Sequence, residues 1–424
     1  MTITILGYFL IPIGVFFLFA KSKYLFSSTV MFIGFSGSAV LLVGDVGIQP
    51  SYWFVMLWII RRVIKGIQIE KIKKIVLKNI YLSAFVLYAT LSIILPLILE
   101  NNIIIMNVDG NVTSLGFTAS CITQLAYLWF CYVSFSLFSV QLNNDQQKID
   151  KYINLYLIGA VLVCIVCLYQ IVCFKTGMPF DKLFRQNPHG NVQGSRIYGP
   201  CIEASMLCYY LITVLPLCIR KKNWLSFLLM IVIISLGVYS FSSSFIVGFL
   251  IWLIFEFLFV LRTGKIKASS KKIKMILMGY ILAIISLFIF GDYIGETLEK
   301  LSITLNHGNI SGIQRSYSFK LLIGAFMKTP ILGVGFGTCR GNDLFSTWLA
   351  EVGIVGITFL IIYLFGKIFQ TKAELDIKVA NVLVWIVMLI SVPEPYNLFI
   401  WFLLSLLDAS HNCQSEKTKS HGKI

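Results

Sequence analysis

Leu344-Phe-Ser-Thr-Trp-Leu-Ala-Glu351-Val-Gly-Ile-Val-Gly356-Ile-Thr-Phe-Leu-Ile-Ile-Tyr-Leu-Phe365 is an apolar run of bilayer length with a carboxylate about two turns inside it. Comparable runs precede it at Ile3–Ala20, Tyr24–Val43, Tyr52–Ile60, Ile80–Leu99, Phe117–Val140, Ile153–Phe174, Pro200–Ile219, Trp224–Tyr239, Phe245–Leu261 and Met275–Phe290. Two more, Val379–Val392 and Leu398–Leu407, follow it. The predicted fold is therefore all-α, a polytopic transmembrane helical bundle of about 12–14 spans. With 58% hydrophobic and only 13% charged residues among 424, and a mean hydropathy of +0.84, no stretch is left over for a soluble domain. Residues 1–424 read as one membrane domain. The first run lacks a basic leader and a small-residue cleavage site, so it is expected to be a span and not a signal peptide.

The net charge of +16 would point to nucleic acid in a soluble protein, but here orientation accounts for it. Most lysines and arginines fall in alternate connections: Lys21–Lys23, Arg61–Lys78, Gln141–Tyr152, Arg220–Asn223, Arg262–Lys274, Gly366–Lys378 and the tail after Leu407. Those connections all lie on one face when the spans alternate, and that face is cytoplasmic. No nucleic-acid partner is expected. Cysteines such as Cys131, Cys164, Cys167 and Cys208 sit inside apolar runs, where thiol serves as a small hydrophobe. The four histidines, His189, His307, His411 and His421, have no ligand spacing, so no metal is expected.

Function is expected in the outer connections. The longest, residues 291–343, holds Arg315, Lys320, Lys328 and Arg340 on a face otherwise poor in positive charge. Its middle reads as an amphipathic surface helix, opened by a capping box at Ser311 and Gln314 and stopped at Thr329-Pro330. Arg315, Phe319, Leu322 and Phe326 recur at helical spacing, which predicts an apolar stripe at the acyl boundary with the Arg315 guanidinium at headgroup depth. Arg315 and Lys320 there either grip a lipid-linked phosphate or anchor the helix to membrane lipid.

A second outer loop, residues 175–199, ends in Arg196-Ile-Tyr-Gly-Pro200-Cys-Ile-Glu203, read as an arginine before a proline-started helix with an acid in its first turn. Glu203 is either a terminal acid paired with Arg196 or a base that orients a hydroxyl. Glu351, an intramembrane carboxylate, is a functional candidate whose available partners are Arg315, Arg196 and Arg340. Gly333-Val-Gly-Phe-Gly337 follows no Rossmann strand and is expected to be a turn permitting close backbone packing. Asp109-Gly110-Asn111 is an ordinary turn.

Arg315, then Pro330-Ile-Leu-Gly-Val-Gly-Phe-Gly337, then Leu349-Ala-Glu351-Val-Gly353-Ile-Val-Gly356 resembles the carboxyl-terminal signature of the O-antigen polymerase and ligase superfamily. Arg196 with Gly199, Glu203 and Ser205 resembles the polymerase pattern. The resemblance implies a GT-C-like membrane glycosyltransferase of the bacterial cell inner membrane, with two functional periplasmic loops. It implies a metal-independent, inverting enzyme without cofactor, acting on undecaprenyl-diphosphate-linked oligosaccharide, with a chain-length regulator as a further partner. Arg196, Arg315, Arg340 and Lys320 would bind substrate, and Glu203, Glu351 or His307 would supply the base. Ligases carry a histidine just before the span equivalent to that of Glu351. Asn342-Asp343 stands there in this chain, which favours polymerase. A flippase for the same lipid-linked unit is the reading from a different class.

Overall fold

The computed structural model describes residues 1–44, 46–66, 68–99, 102–142, 145–178, 180, 196–240, 242–263, 310–371, 373–391 and 393–420. The span expected at Met275–Phe290, most of the loop at 175–199, residues 291–309 of the loop at 291–343, and the candidate base His307 lie outside them. In chain order the elements are β1 (Thr2–Ile3), α1 (Ile5–Phe19), α2 (Ser22–Met31), β2 (Leu41–Val43), β3 (Val46–Ile48), α3 (Pro50–Ile64), α4 (Ile69–Lys78), α5 (Ile80–Ser92), α6 (Leu95–Ile98), β4 (Ile104–Met106) and β5 (Val112–Ser114). They continue with α7 (Ala119–Leu142), α8 (Gln146–Thr176), α9 (Ala204–Lys221), α10 (Trp224–Tyr239), α11 (Ser243–Thr263), α12 (Ile310–Lys328), α13 (Leu344–Gln370), α14 (Leu375–Ile390) and α15 (Leu398–Ser420).

The chain is mostly helical, and among the described residues five segments are long and apolar enough to cross a membrane: Ile80–Ile98, α7, α8, α9 and α13. Shorter apolar helices include α1, α10 and parts of α11 and α15. This is the pattern of a multi-pass helical membrane protein. It departs from a purely helical expectation in five short strands, arranged as the antiparallel sheet β1-β2-β3 and the hairpin β4-β5. Asn107 closes that hairpin through its side-chain oxygen, which accepts the Asp109 and Asn111 amides at 3.0 and 2.9 Å, so the turn at Asp109-Gly110-Asn111 forms where expected.

The chain divides into two compact units. The first comprises residues 1–67, 145–298 and 374–384. Here the run Tyr24–Val43 is not one span: helix α2 stops at Met31, and the chain continues as a loop into β2. The reason is a close backbone crossing. The Gly37 amide donates to the Pro200 carbonyl at 2.9 Å, and a Cβ on Gly37 would stand 2.2 Å from the Cys201 carbonyl carbon. The buried Gln170 side chain of α8 completes the crossing by accepting the Tyr198 and Gly199 amides at 3.0 and 2.7 Å.

The second unit comprises residues 68–144, 299–373 and 385–424. In it α13 packs on α5, and α15 packs on α7. Helix α12 ends at Lys328, beside Thr329-Pro330 as the sequence implies, and the expected stripe is divided, Leu322 turning onto protein while Phe319 stays outside. Ser318, Leu322 and Ala325 face inward, where Leu322 and Ala325 join Ile103, Ile105, Leu115, Val334, Cys339 and Ala350 in a small core beneath the hairpin. Phe319 is 42% exposed. The helix therefore docks on protein through small and aliphatic residues, and the aromatic side chain points away.

Candidate functional site

Helix α13 is broken inside the membrane-spanning segment. Gly353 has φ 57° and ψ −165°, a conformation open essentially to glycine alone. A break in a span leaves polar backbone groups without helical partners, and they must be satisfied by protein. The stretch Pro330–Gly335 does this by exchange. The Val334 and Gly335 amides donate to the Ala350 and Glu351 carbonyls at 2.8 and 3.0 Å, while the Ile354 and Val355 amides donate to the Pro330 and Ile331 carbonyls at 2.9 and 3.3 Å. The approach is so close that a Cβ on Gly333 would lie 2.4 Å from the Glu351 carbonyl oxygen, and one on Gly353 would lie 2.5 Å from that of Ile331. The glycine-rich motif is thus a close-packing turn, as its sequence context implied, and its packing partner is the break in its own neighbouring span.

Glu351 stands at that break and is buried. Its Oε1 accepts the Gly337 amide at 2.9 Å and the Cys339 amide at 3.4 Å. The partner anticipated for this carboxylate was an arginine; the structure gives backbone amides instead. Further ties fix the same loop: Ser92 Oγ accepts the Phe336 amide at 3.2 Å, Ser120 donates to the Gly337 carbonyl at 3.0 Å, and Tyr88 donates to the Leu332 carbonyl at 2.8 Å. The loop ends in Arg340, whose amide donates to the Met106 carbonyl of β4 at 3.0 Å and whose guanidinium pairs with Glu394.

Glu394 belongs to Pro393-Glu-Pro-Tyr396-Asn397, the connector between α14 and α15. Burial raises the Tyr396 phenol well above its ordinary value, and the nearby Glu351 charge raises it further while Arg340 opposes. Tyr396 also stacks at a tilt on Tyr127, with ring centroids 5.7 Å apart. The short connector therefore brings an acid and a phenol to Arg340 and Glu351. In the sequence the signal of this connector is a carboxylate flanked by two prolines between two apolar runs.

Arg315 reaches the same region from α12. Asp343 is the N-cap of α13, its carboxylate accepting the Ser346 amide at 2.7 Å and the Ser346 hydroxyl at 2.8 Å. Burial raises the Asp343 carboxyl above its usual range, opposed by those two bonds and by the positive charge of Arg315. Asn342 ties the segment to α12 by donating to Ser318 Oγ at 3.2 Å. Arg340 and Asp343 lie three residues apart, at most about 11 Å along the chain. Arg315 thus acts by its charge on Asp343, and Arg340, three residues earlier in the chain, pairs with Glu394. Lys320 is exposed one turn beyond Arg315 on α12.

The remaining candidates belong to the other unit. The helix expected to start at Pro200 starts at Ala204, so Glu203 is its N-cap residue and not part of the first turn. Pro200 is consumed by the crossing with Gly37. Glu203 is exposed and accepts the Ser205 hydroxyl; Arg196 donates through Nε to the Ser240 carbonyl at 3.3 Å. Among the described residues no group of histidine, cysteine and acidic side chains has the arrangement of a metal site. Comparison with family models, curated proteins and solved structures finds no match.

Proposed function

We propose that the chain is a surface-polysaccharide polymerase, a metal-independent inverting glycosyltransferase that joins undecaprenyl-diphosphate-linked oligosaccharide units at the outer face of the bacterial inner membrane. The observation that carries this reading is that Arg315 acts by its charge on Asp343, three residues along the chain from the Glu394-paired Arg340. Paired guanidiniums suit a lipid diphosphate, because each planar fork makes bidentate charge-assisted hydrogen bonds. In this reading they bind the donor diphosphate and stabilise the charge that grows on it as the glycosidic bond breaks.

A base is needed to take the proton of the attacking sugar hydroxyl. Asp343 is half-buried beside Arg315, and its raised carboxyl suits that exchange, so we assign it the role ahead of Glu203, Glu351 and His307. Glu351, buried and occupied by two amides, acts as a positioning residue that holds the loop leading to Arg340. Lys320, exposed on the same helix as Arg315, serves as an outlying contact to the phosphates or sugars of the same substrate.

A transporter of the same lipid-linked unit is the second reading, and the broken span α13 favours it, since discontinuous helices line the substrate paths of many transporters. A ligase is the third. Deletion of the gene followed by gel analysis of surface polysaccharide separates them. Loss of a polymerase leaves core bearing a single unit. Loss of a ligase leaves bare core with chains stranded on lipid, and loss of a flippase traps single units inside the cell; either pattern rejects the proposal.

A further inference from the structure

Helix α4 differs in character from the helices around it. In Ile69-Glu-Lys-Ile-Lys-Lys-Ile-Val-Leu-Lys78, helical spacing sets Lys71, Lys74 and Lys78 in one row and Ile69, Ile72 and Val76 on the opposite side. None of its ten residues is buried, and Ile69 and Leu77 are 71% and 60% exposed. So short a helix is marginal in water unless something fixes it.

Its carboxyl end is fixed. Asn79 is buried at the corner and donates to the Ile75 carbonyl at 2.8 Å. Ser83 lies 3.2 and 3.1 Å from the Val76 and Asn79 carbonyls and 2.6 Å from the Tyr132 hydroxyl. Lys78 turns inward, its ammonium 3.0 Å from Asp408 Oδ1 and 2.8 Å from the Asp408 carbonyl, while Lys367 holds the same carboxylate at 2.6 Å. Lys78 is therefore spent on the protein, whereas Lys71, Lys73 and Lys74 stay exposed.

The corner at Asn79 leads straight into Ile80–Ile98, one of the membrane-crossing segments. A helix locked at that end lies at the level where acyl chains give way to headgroups. A simply solvated charged helix would not leave Ile69 and Leu77 bare. We infer that α4 is an interfacial helix that binds anionic phospholipid, with Ile69 and Leu77 at the acyl boundary and Lys71 and Lys74 on headgroup phosphates. This surface is separate from the residues assigned to polymerisation and does not rest on that assignment.

The test is native mass spectrometry of the full-length protein in neutral detergent, titrated with phosphatidylglycerol or phosphatidylcholine. Wild-type protein should retain phosphatidylglycerol in preference. Lys71→Gln and Lys74→Gln should each weaken that retention by about fivefold, and Glu70→Gln should strengthen it. Salt at about 0.5 M should remove most of the preference, and Lys222→Gln should leave it unchanged. Equal retention of the two lipids by wild-type protein overturns the inference. So does wild-type retention in the double Lys71→Gln, Lys74→Gln variant; should that variant not fold, the single variants and the salt arm decide by the same criterion.

Discussion

Replacing Gly353 by alanine tests whether the break in α13 is built as described. At φ 57° and ψ −165° a side chain costs about 1–3 kcal/mol in backbone strain alone. The new Cβ would also meet the Ile331 carbonyl oxygen at 2.5 Å and the Gly333 amide nitrogen at 2.6 Å, both backbone atoms that no rotamer change can move. Relief requires the loop to withdraw, and withdrawal surrenders four interlocking amide bonds worth about 0.5–1.5 kcal/mol each. Closing the helix recovers at most the two bonds within it. The net cost is about 3 kcal/mol or more, read as a fall of several degrees in the melting temperature of purified protein. Gly333→Ala should behave alike, since its Cβ meets the Glu351 carbonyl group. Gly324→Ala is the contrast: nothing lies within 4 Å of its Cβ, and an exposed helical glycine gains about 0.5–1 kcal/mol on becoming alanine. If Gly353→Ala melts with the wild type, the exchanged backbone bonds do not support the unit and the reasoning fails.

Other outcomes follow from the same geometry. Glu351→Ala leaves the buried Gly337 and Cys339 amides without their acceptor and should destabilise by about 2–4 kcal/mol, whereas Glu351→Gln, which keeps an acceptor oxygen, should cost less and retain part of the polysaccharide ladder; equal loss in both would make the charge itself essential. Glu394→Gln should change melting by less than about 1 kcal/mol, because Arg340 is 40% exposed and water screens the pair, yet it should alter substrate affinity by freeing the guanidinium. Asp343 carries a raised carboxyl, so protonation favours the fold: that contribution is full below the ordinary carboxylate value near 3.8 and is lost as pH rises through the higher folded value. Asp343→Asn should therefore flatten stability across that window and abolish polymerisation. Unchanged polymerisation by this variant removes Asp343 as the base.

Much of this architecture was readable from hydropathy, because apolar runs the length of α7, α8 and α13 have few alternatives to spanning a bilayer. Hydropathy does not report whether such a run is helical throughout. Phe32–Val40 and the break at Gly353 are apolar in composition but irregular in backbone, and only their glycines, which admit close backbone contact, gave warning. Helix α12 divides its apolar residues for a related reason, with Leu322 of the expected stripe on protein and Phe319 outside. In a membrane protein the contact face favours small residues, here Ser318 and Ala325, while a large aromatic such as Phe319 is as welcome outside. Arg315, Arg340 and Glu351 stood out as charges in apolar surroundings. Asp343 was hidden by its ordinary role as an N-cap, and Glu394 by the brevity of its connector.

Arg315 and Arg340 are proposed to hold a lipid diphosphate jointly, and direct binding of undecaprenyl diphosphate to the purified protein tests this. Arg315→Ala and Arg340→Ala should each weaken binding about tenfold or more at unchanged melting temperature, as loss of a charge-assisted contact implies, with the double variant weaker still. Wild-type affinity in the folded double variant would contradict it.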